Sequence, residues 1–156
     1  MKPKAYLETT IVSYLAASPS RDVVVAGHQQ ITHDWWERRH RFELFVSAAV
    51  VDEAQRGNAA LAKRRMVLID GIPVLDLTVD VHRLAAGLLS AHAVPPNALG
   101  DAVHIAAAAL NGINYLLTWN CRHIANAAVR GKIERACSAE GVNAPVICTP
   151  EELMET

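Results

Sequence analysis

Four polar side chains stand where apolar segments of this sequence begin or end: Glu8, Glu53, Asp101 and Asn120. In an α/β protein the carboxyl ends of parallel strands converge on one crevice, so residues far apart in sequence can meet there. Carboxylates in one crevice repel each other unless a divalent cation or bound protons neutralise them. The pattern therefore predicts a metal site suited to phosphate chemistry.

Short apolar segments alternating with helical patterns predict the elements that would position these side chains. The predicted strands span residues 5–7, 43–47, 73–75, 115–118 and 145–148. The predicted helices span residues 11–15, 22–40, 48–56, 59–69, 99–110 and 131–139, with another beginning at Thr78 and a short closing helix opened by 149–152. Strands that alternate with helices favour a mostly parallel sheet covered on both faces, which is an α/β fold.

The composition predicts one globular domain. The chain has 156 residues, of which 51% are hydrophobic and 20% charged, and this is enough for one sizeable core but too short for two ordinary domains. The formal net charge of −1 gives no overall attraction to nucleic acid. Any nucleic-acid site would therefore depend on a local basic surface.

Cysteine usage and hydropathy favour a soluble cytoplasmic protein. The three cysteines show no C-x-x-C spacing, which argues against a disulfide framework or a thiolate zinc site. No segment approaches the roughly 18 consecutive apolar residues that a membrane span needs. The first residues do not have the pattern of a signal peptide.

Four segments together resemble a known family: YLETTIVSYL at 6–15, VDEAQRG at 51–57, GDAVHIA at 100–106 and LLTWNCRHIAN at 116–126. Their order and spacing are similar to those of the PIN-domain family, specifically the VapC-like toxins of type II toxin–antitoxin systems. The resemblance covers nearly the whole chain, as a single domain over residues 1–156. It implies a three-layer α/β/α fold with a central, mostly parallel sheet.

The resemblance also implies an activity and partners. Members of this family are endoribonucleases that use Mg²⁺ or Mn²⁺ to hydrolyse RNA phosphodiester bonds. The family pattern places Glu8, Glu53 and Asp101 as metal ligands and catalytic residues, and Asn120 as the fourth catalytic position. It further implies an RNA substrate, a homodimer and a cognate antitoxin protein whose tail blocks the groove.

Two residues depart from the family pattern, and two hydroxyl residues support it. The family usually has aspartate where this chain has Glu8, and a longer side chain moves the carboxylate by roughly an ångström. Asn120 replaces a second common aspartate and removes a charge, which would weaken binding of a second metal ion. Thr9 and Thr118 match the hydroxyl positions beside these acids. The intact neighbouring motifs favour adjusted geometry over reduced activity.

Each acidic residue also has a plain structural interpretation. Asp101 at a helix start would stabilise the helix dipole by about 0.3–1 kcal/mol. Glu53 would form a solvated pair with Asp52 on a helix surface, and Asn120 would be a turn or cap residue. Glu8 directly follows a buried strand, where an unpaired carboxylate is costly to bury and metal ligation removes that cost.

Other groups near these motifs have possible roles in binding RNA. Arg56 and Arg122 lie beside the acidic motifs and are the preferred phosphate contacts. Trp35 and Trp36 would either stack on bases or pack between helices or across a dimer, and packing is the favoured interpretation. His104 is interpreted as a hydrogen-bonded histidine near the crevice, because hard cations prefer oxygen ligands.

Two alternatives to a nuclease remain. The first is a catalytically weak PIN-like module that binds RNA or a protein, for which Glu8 and Asn120 are the main support. The second is another Mg²⁺-dependent α/β phosphotransfer enzyme. The sequence has no G-x-x-x-x-G-K-[ST] phosphate loop and no aspartyl nucleophile after the first strand, which disfavours the second alternative.

Overall fold

Five parallel strands form the centre of the fold in the computed structural model, which describes residues 1–154. The strands are β1 (Lys4–Leu7), β2 (Glu43–Ser47), β3 (Val74–Leu75), β4 (Tyr115–Leu117) and β5 (Val146–Cys148). They lie in the order β3-β2-β1-β4-β5, and each neighbouring pair is parallel. The predicted parallel sheet is therefore confirmed.

Seven α-helices connect the strands within the described residues. They are α1 (Thr9–Ala16), α2 (Val23–Glu37), α3 (Ala48–Ala54), α4 (Ala59–Ile69), α5 (Val79–Ser90), α6 (Leu99–Leu110) and α7 (Ala127–Ala139), with 3₁₀ helices at Arg39–Arg41 and Pro150–Leu153. Right-handed crossovers place α1 to α4 on one face of the sheet and α5 to α7 on the other. Contacts of α1 with α2, α3 and α4, and of α5 with α6 and α7, agree with this three-layer α/β/α arrangement.

Several elements lie within the bounds predicted from sequence. The strand β2 and the helices α4 and α6 span the predicted residues. The helix predicted to end at residue 40 instead ends at Glu37 and is followed by a 3₁₀ turn. The predicted start of α7 was wrong by four residues, because Asn126 accepts a hydrogen bond from the Ala128 N–H at 2.9 Å and begins the helix at Ala127.

The strand β1 lies in the middle of the sheet and is almost wholly buried. Ala5, Tyr6 and Leu7 have no exposed surface, as expected for a strand covered by helices on both faces. The chain moves from β1 to β2 and β3 in one direction, whereas β4 and β5 lie on the other side of β1. The sheet therefore has its topological switch point between the paired strands β1 and β4, and in open α/β sheets ligands bind in the crevice outside the carboxyl ends of such strands.

The helix α6 is the most deeply buried helix. All residues from 102 to 109 are buried, so most of the helix is surrounded by protein. Asp101 lies in its first turn and is only partly exposed. Buried residues from Ala5 to Cys148 form one hydrophobic core cluster. No helix within residues 1–154 has the length and apolarity needed to cross a membrane.

Candidate active site at the ends of β1, β2 and β4

Glu8 follows β1 and is held by three donors. Its side chain is buried, with 5% of the residue exposed, and it caps the N-terminus of α1. Oε2 accepts from the Thr10 N–H at 3.1 Å, and Oε1 accepts from the Thr10 hydroxyl at 2.5 Å and the Thr118 hydroxyl at 2.6 Å. Bonds to a carboxylate are charge-assisted, so these donors hold both oxygens firmly. Glu8 is therefore both a helix cap and a fixed buried carboxylate.

The segment after β4 connects Glu8 to Asp101. The Asn120 N–H donates to Thr118 Oγ1 at 2.9 Å, and Asn120 Nδ2 donates to Asp101 Oδ1 at 3.1 Å. The second Asp101 oxygen, Oδ2, lies 2.9 Å from His123 Nδ1. An ionised carboxylate only accepts hydrogen bonds, so His123 Nδ1 donates here. One continuous set of hydrogen bonds thus runs from Glu8 to His123.

Glu53, on α3, belongs to a second set of hydrogen bonds. Its Oε1 lies 2.5 Å from His104 Nε2, and His104 Nδ1 lies 2.6 Å from the Tyr6 hydroxyl. The Tyr6 hydroxyl also lies 2.7 Å from Ser47 Oγ at the end of β2. His104, Tyr6 and Ser47 are buried. The Glu53 carboxylate is therefore oriented from inside the protein.

His104 is influenced electrostatically by all three carboxylates. Burial lowers the pKa of His104, but the hydrogen bond that it donates to Glu53 and the charges of Glu8, Glu53 and Asp101 raise it, and the net shift is above the ordinary value. The three acids therefore all lie within electrostatic range of one imidazole that is only 1% exposed. This confirms the interpretation of His104 as a hydrogen-bonded histidine beside the crevice.

The three carboxylates all act on His104 electrostatically, but they do not converge on one point. Within residues 1–154, no three His, Cys, Asp or Glu side chains are grouped so that they could hold a metal ion. In the same part of the chain, the ion pairs of Glu53 and Asp101 are with histidines alone. Oxygen donors suit a hard cation, and Mg²⁺ is typically held by one or two carboxylates and several waters. The donor set fits such an ion, but not one that all three carboxylates bind directly.

The hydroxyl groups near Glu8 differ from the prediction in one respect. Thr118 donates to Glu8, whereas the hydroxyl of Thr9 is buried and has no hydrogen-bond partner among the described residues. Thr10 provides the second hydroxyl contact instead. The sequence carries a signal for the accompanying backbone contact, because a capping side chain accepts from the N–H of the second or third helical residue, and Thr10 is the second.

The two predicted phosphate contacts lie on the surface. Arg56 forms an ion pair with Asp52, and both side chains are exposed. The solvated pair on α3 is therefore Asp52 with Arg56, which leaves Glu53 free to contact His104. Arg122 is exposed in the turn that follows Asn120. Both arginines are close to the acidic motifs in sequence, but within residues 1–154 neither forms an ion pair with the three acids.

The adjacent tryptophans on α2 have packing roles. Trp35 is fully buried, and its ring centre lies 5.6 Å from that of Phe42. Trp36 is partly buried, and the Arg39 guanidinium lies 4.3 Å from the centre of its ring. The favoured interpretation, packing between helices, is therefore confirmed for Trp35.

Comparisons with known proteins identify similarity in structure only. No protein-family model matches the chain, and no curated protein matches it in sequence. The structure of VapBC2 from Rickettsia felis bound to a promoter DNA fragment matches with a TM-score of 0.62 at 12% identity, over 94% of this chain and 98% of the other. VapC20 from Mycobacterium tuberculosis, a sarcin–ricin loop cleaving toxin, matches with a TM-score of 0.56 at 16% identity, over 72% of this chain and 86% of the other. The predicted resemblance is thus confirmed for the fold, which is the α/β/α fold of VapC-type PIN-domain structures.

Proposed function

We propose that this protein is a metal-dependent endoribonuclease that hydrolyses RNA phosphodiester bonds. The observation that carries the proposal is that hydrogen bonds link Glu8 to Asp101 through Thr118 and Asn120 and hold Glu53 against His104, beside the switch point between β1 and β4. Carboxylates held in a crevice without a lysine or arginine partner are suited to a hard cation and its water. The likeness to VapC20, which cleaves the sarcin–ricin loop, supports RNA as the substrate.

Glu8, Glu53 and Asp101 would hold a Mg²⁺ or Mn²⁺ ion, one or two of them directly and the rest through water. The ion would supply a nucleophilic water and stabilise charge on the phosphate oxygens. Thr10 and Thr118 fix the Glu8 carboxylate, and His104 fixes Glu53. These contacts keep the acids in place before substrate arrives, which matters because small displacements reduce catalysis strongly.

The remaining predicted residues would act on the substrate or on the acids. Asn120 holds Asp101 through its amide and is the fourth proposed catalytic position. Thr9, whose buried hydroxyl lacks a partner, is a proposed supporting residue beside Glu8. Arg56 and Arg122 are proposed phosphate contacts, because exposed guanidinium groups bind phosphate oxygens well.

We further propose that the protein is the toxin of a toxin–antitoxin pair. The fold shared with VapBC2 supports a cognate antitoxin protein as a partner. We expect a homodimer and a cytoplasmic location, where RNA is available. Arrest of growth on expression, with relief by the product of the adjacent gene, would test the toxin role, and sedimentation would measure the oligomeric state.

The first experiment measures cleavage of structured and unstructured RNAs by the wild-type protein and by Asp101→Ala. We expect cleavage with Mg²⁺ or Mn²⁺, none with EDTA, and a loss of at least about 100-fold in the variant, because positioned groups at a reacting centre contribute effects of this order. Asp80→Ala is the matched control, since Asp80 is an exposed helical aspartate paired with Arg83. This control is expected to keep full activity.

A binding module is the second candidate function. Each of the three acids already accepts a hydrogen bond from the protein, and Asn120 replaces a possible fourth carboxylate. A protein that cleaves no RNA and binds no Mn²⁺ in a titration would contradict the nuclease proposal and favour this alternative. Mn²⁺ binding that Asp101→Ala abolishes would favour the nuclease even before its RNA target is found.

A further inference from the structure

Three aromatic rings lie together at the margin of the acidic site. They are the rings of Tyr14 on α1, His28 on α2 and Trp119 after β4. The centres of the His28 and Trp119 rings are 4.0 Å apart, with 12° between their planes. The Tyr14 ring lies 6.3 Å from Trp119 and 6.5 Å from His28, with angles of 28° and 24°. All three rings are thus nearly parallel, and we refer to them as the aromatic platform.

Tyr14 lies beside the His28–Trp119 pair and not on its outer face. A ring stacked on either outer face would be much closer to one partner than to the other, whereas the two Tyr14 distances are almost equal. The outer face of the His28 ring is therefore not covered by Tyr14. Tyr14 and His28 are both partly exposed, while Trp119 is only 8% exposed and is the most buried of the three residues.

Hydrogen bonds fix the platform to the acidic site. The Trp119 N–H donates to Thr10 Oγ1 at 2.9 Å, and the same Thr10 hydroxyl donates to Glu8 at 2.5 Å. The Trp119 indole donates to Thr32 Oγ1 at 2.7 Å, which sets the plane of its ring against α2. Trp119 also lies in sequence between Thr118 and Asn120, the two residues that connect the acids. A base on the platform would therefore be next to a phosphate at the acids.

The platform differs from ordinary core packing. Trp35, which lies on α2 together with His28, is fully buried, as expected for a residue that packs in the core. By contrast, Tyr14 and His28 keep exposed surface, and the His28 ring has no hydrogen-bond partner among the described residues. Burial raises the pKa of the Tyr14 phenol, and the charges of Cys121, Asp22 and Glu8 raise it further, which places the phenol within range of the site.

We propose that Tyr14, His28 and Trp119 form a stacking site for an unpaired nucleobase of the RNA substrate. Every base has an aromatic face, so such a site holds the base without reading its identity, and the neighbouring acids then receive the adjacent phosphate. Bases are available for stacking in loops, bulges and single strands and not within a duplex. This inference rests on the proposed nuclease function and narrows its substrate to RNA with an unstacked base.

The test compares binding of two oligomers by fluorescence anisotropy in EDTA, where cleavage is prevented. One is an unstructured oligoribonucleotide, and the other is an abasic ribose–phosphate chain of the same length. Both oligomers carry the same backbone charge, so the difference between their affinities measures the contribution of the bases. We expect the wild-type protein to bind the base-containing oligomer about 5- to 100-fold more tightly, the range that stacking on an aromatic side chain gives.

Substitutions at His28 separate stacking from packing. His28→Leu replaces the ring by a non-aromatic side chain of similar size and should bind both oligomers with the weaker affinity, whereas His28→Phe should keep the preference because it keeps a ring. Trp36→Leu removes a partly buried aromatic ring elsewhere on α2 and should leave the preference unchanged. The wild-type comparison needs no substitution, so equal binding of the two oligomers overturns the platform even if a variant fails to fold.

The outcomes distinguish the platform from the nuclease. A wild-type protein that prefers bases, with the preference lost in His28→Leu, supports the platform whether or not RNA is cleaved in Mn²⁺. A wild-type protein that cleaves RNA but binds both oligomers equally overturns the platform and leaves the nuclease intact. Full base preference in His28→Leu would also overturn it.

Discussion

At the scale of single residues, Asn120 shows why an amide can replace a carboxylate in this site. Its Nδ2 donates to Asp101, and its Oδ1 accepts from the His123 N–H at 3.0 Å. An ionised aspartate could make only the second of these contacts, because a carboxylate does not donate. The amide therefore holds Asp101 and the following turn at once, without adding a fourth negative charge.

Tyr6 is expected to stabilise the fold through its hydroxyl. Tyr6→Phe removes the contact to Ser47 and leaves Nδ1 of the buried His104 without its partner. We expect the free energy of unfolding to fall by about 1–3 kcal/mol, the cost of an unsatisfied buried polar group. Urea denaturation would measure this change.

Tyr115→Phe is the matched control for Tyr6→Phe. Tyr115 is partly buried, and its hydroxyl has no hydrogen bond among the described residues, so its removal should have little effect. Equal stability of the two variants would show that the contact between Tyr6 and His104 contributes nothing to stability.

The sequence predicted the acids of the site better than the groups that hold them. Glu8, Glu53 and Asp101 could be identified because each lies beside an apolar segment. His123 is not among the predicted site residues, because its contact with Asp101 depends on a turn whose N–H groups bond to Asn120. Such contacts depend on tertiary structure, which periodicity does not encode.

At the scale of elements, capping signals decide which bounds could be predicted. The bounds of α4 were predicted correctly because Asn58 precedes it, and the Asn58 side chain accepts from the Ala60 and Leu61 N–H groups. Asn126 plays the same part for α7, and the predicted start at Gly131 lies inside the helix. A helical glycine weakens a helix without ending it, so it is a poor guide to a boundary.

The buried helix α6 is expected to tolerate little extra volume. Ala107→Leu adds three carbons where the side chain has no exposed surface. Overpacking of this kind typically destabilises by about 1–3 kcal/mol. Asp101 lies in the first turn of the same helix, so we also expect a reduced rate of RNA cleavage. Chemical denaturation and the cleavage assay would measure the two effects.

Ala86→Leu is the control for α6. Ala86 lies on α5, which packs against α6, but its side chain is exposed. Surface substitutions usually change stability by less than about 0.5 kcal/mol. If Ala107→Leu were no more destabilising than Ala86→Leu, the close packing around α6 would be contradicted.

At the scale of the whole molecule, the reactivity of the cysteines shows whether the hydrophobic core is folded. Cys121 is exposed, whereas Cys137 and Cys148 are buried, and none forms a disulfide. Burial raises the pKa of Cys137 to about 11 and is the largest cause that raises the pKa of Cys148 to about 12. Both thiols therefore stay protonated at neutral pH. Because the thiolate is the reactive form, both are expected to react slowly.

A thiol reagent should therefore modify one cysteine rapidly in the native protein and three after unfolding. Cys121→Ser should remove the rapid reaction and leave the slow ones. Mass spectrometry after short exposure would count the labels. Rapid labelling of Cys137 or Cys148 in the native protein would contradict the packing of α7 and β5 described above.

Because β1 lies in the middle of the sheet, the site around Glu8 cannot be completed until much later parts of the chain have been synthesised. Glu8 leaves the ribosome early, but Thr118, which fixes its carboxylate, is 110 residues later. At a synthesis rate of about 5–20 residues per second, roughly 5–20 s separate the two. Until Thr118 has been synthesised, β4 is absent, and β1 is the only one of the two switch-point strands that is present. If the protein is the proposed nuclease, an unfinished chain cannot attack the message from which it is being translated.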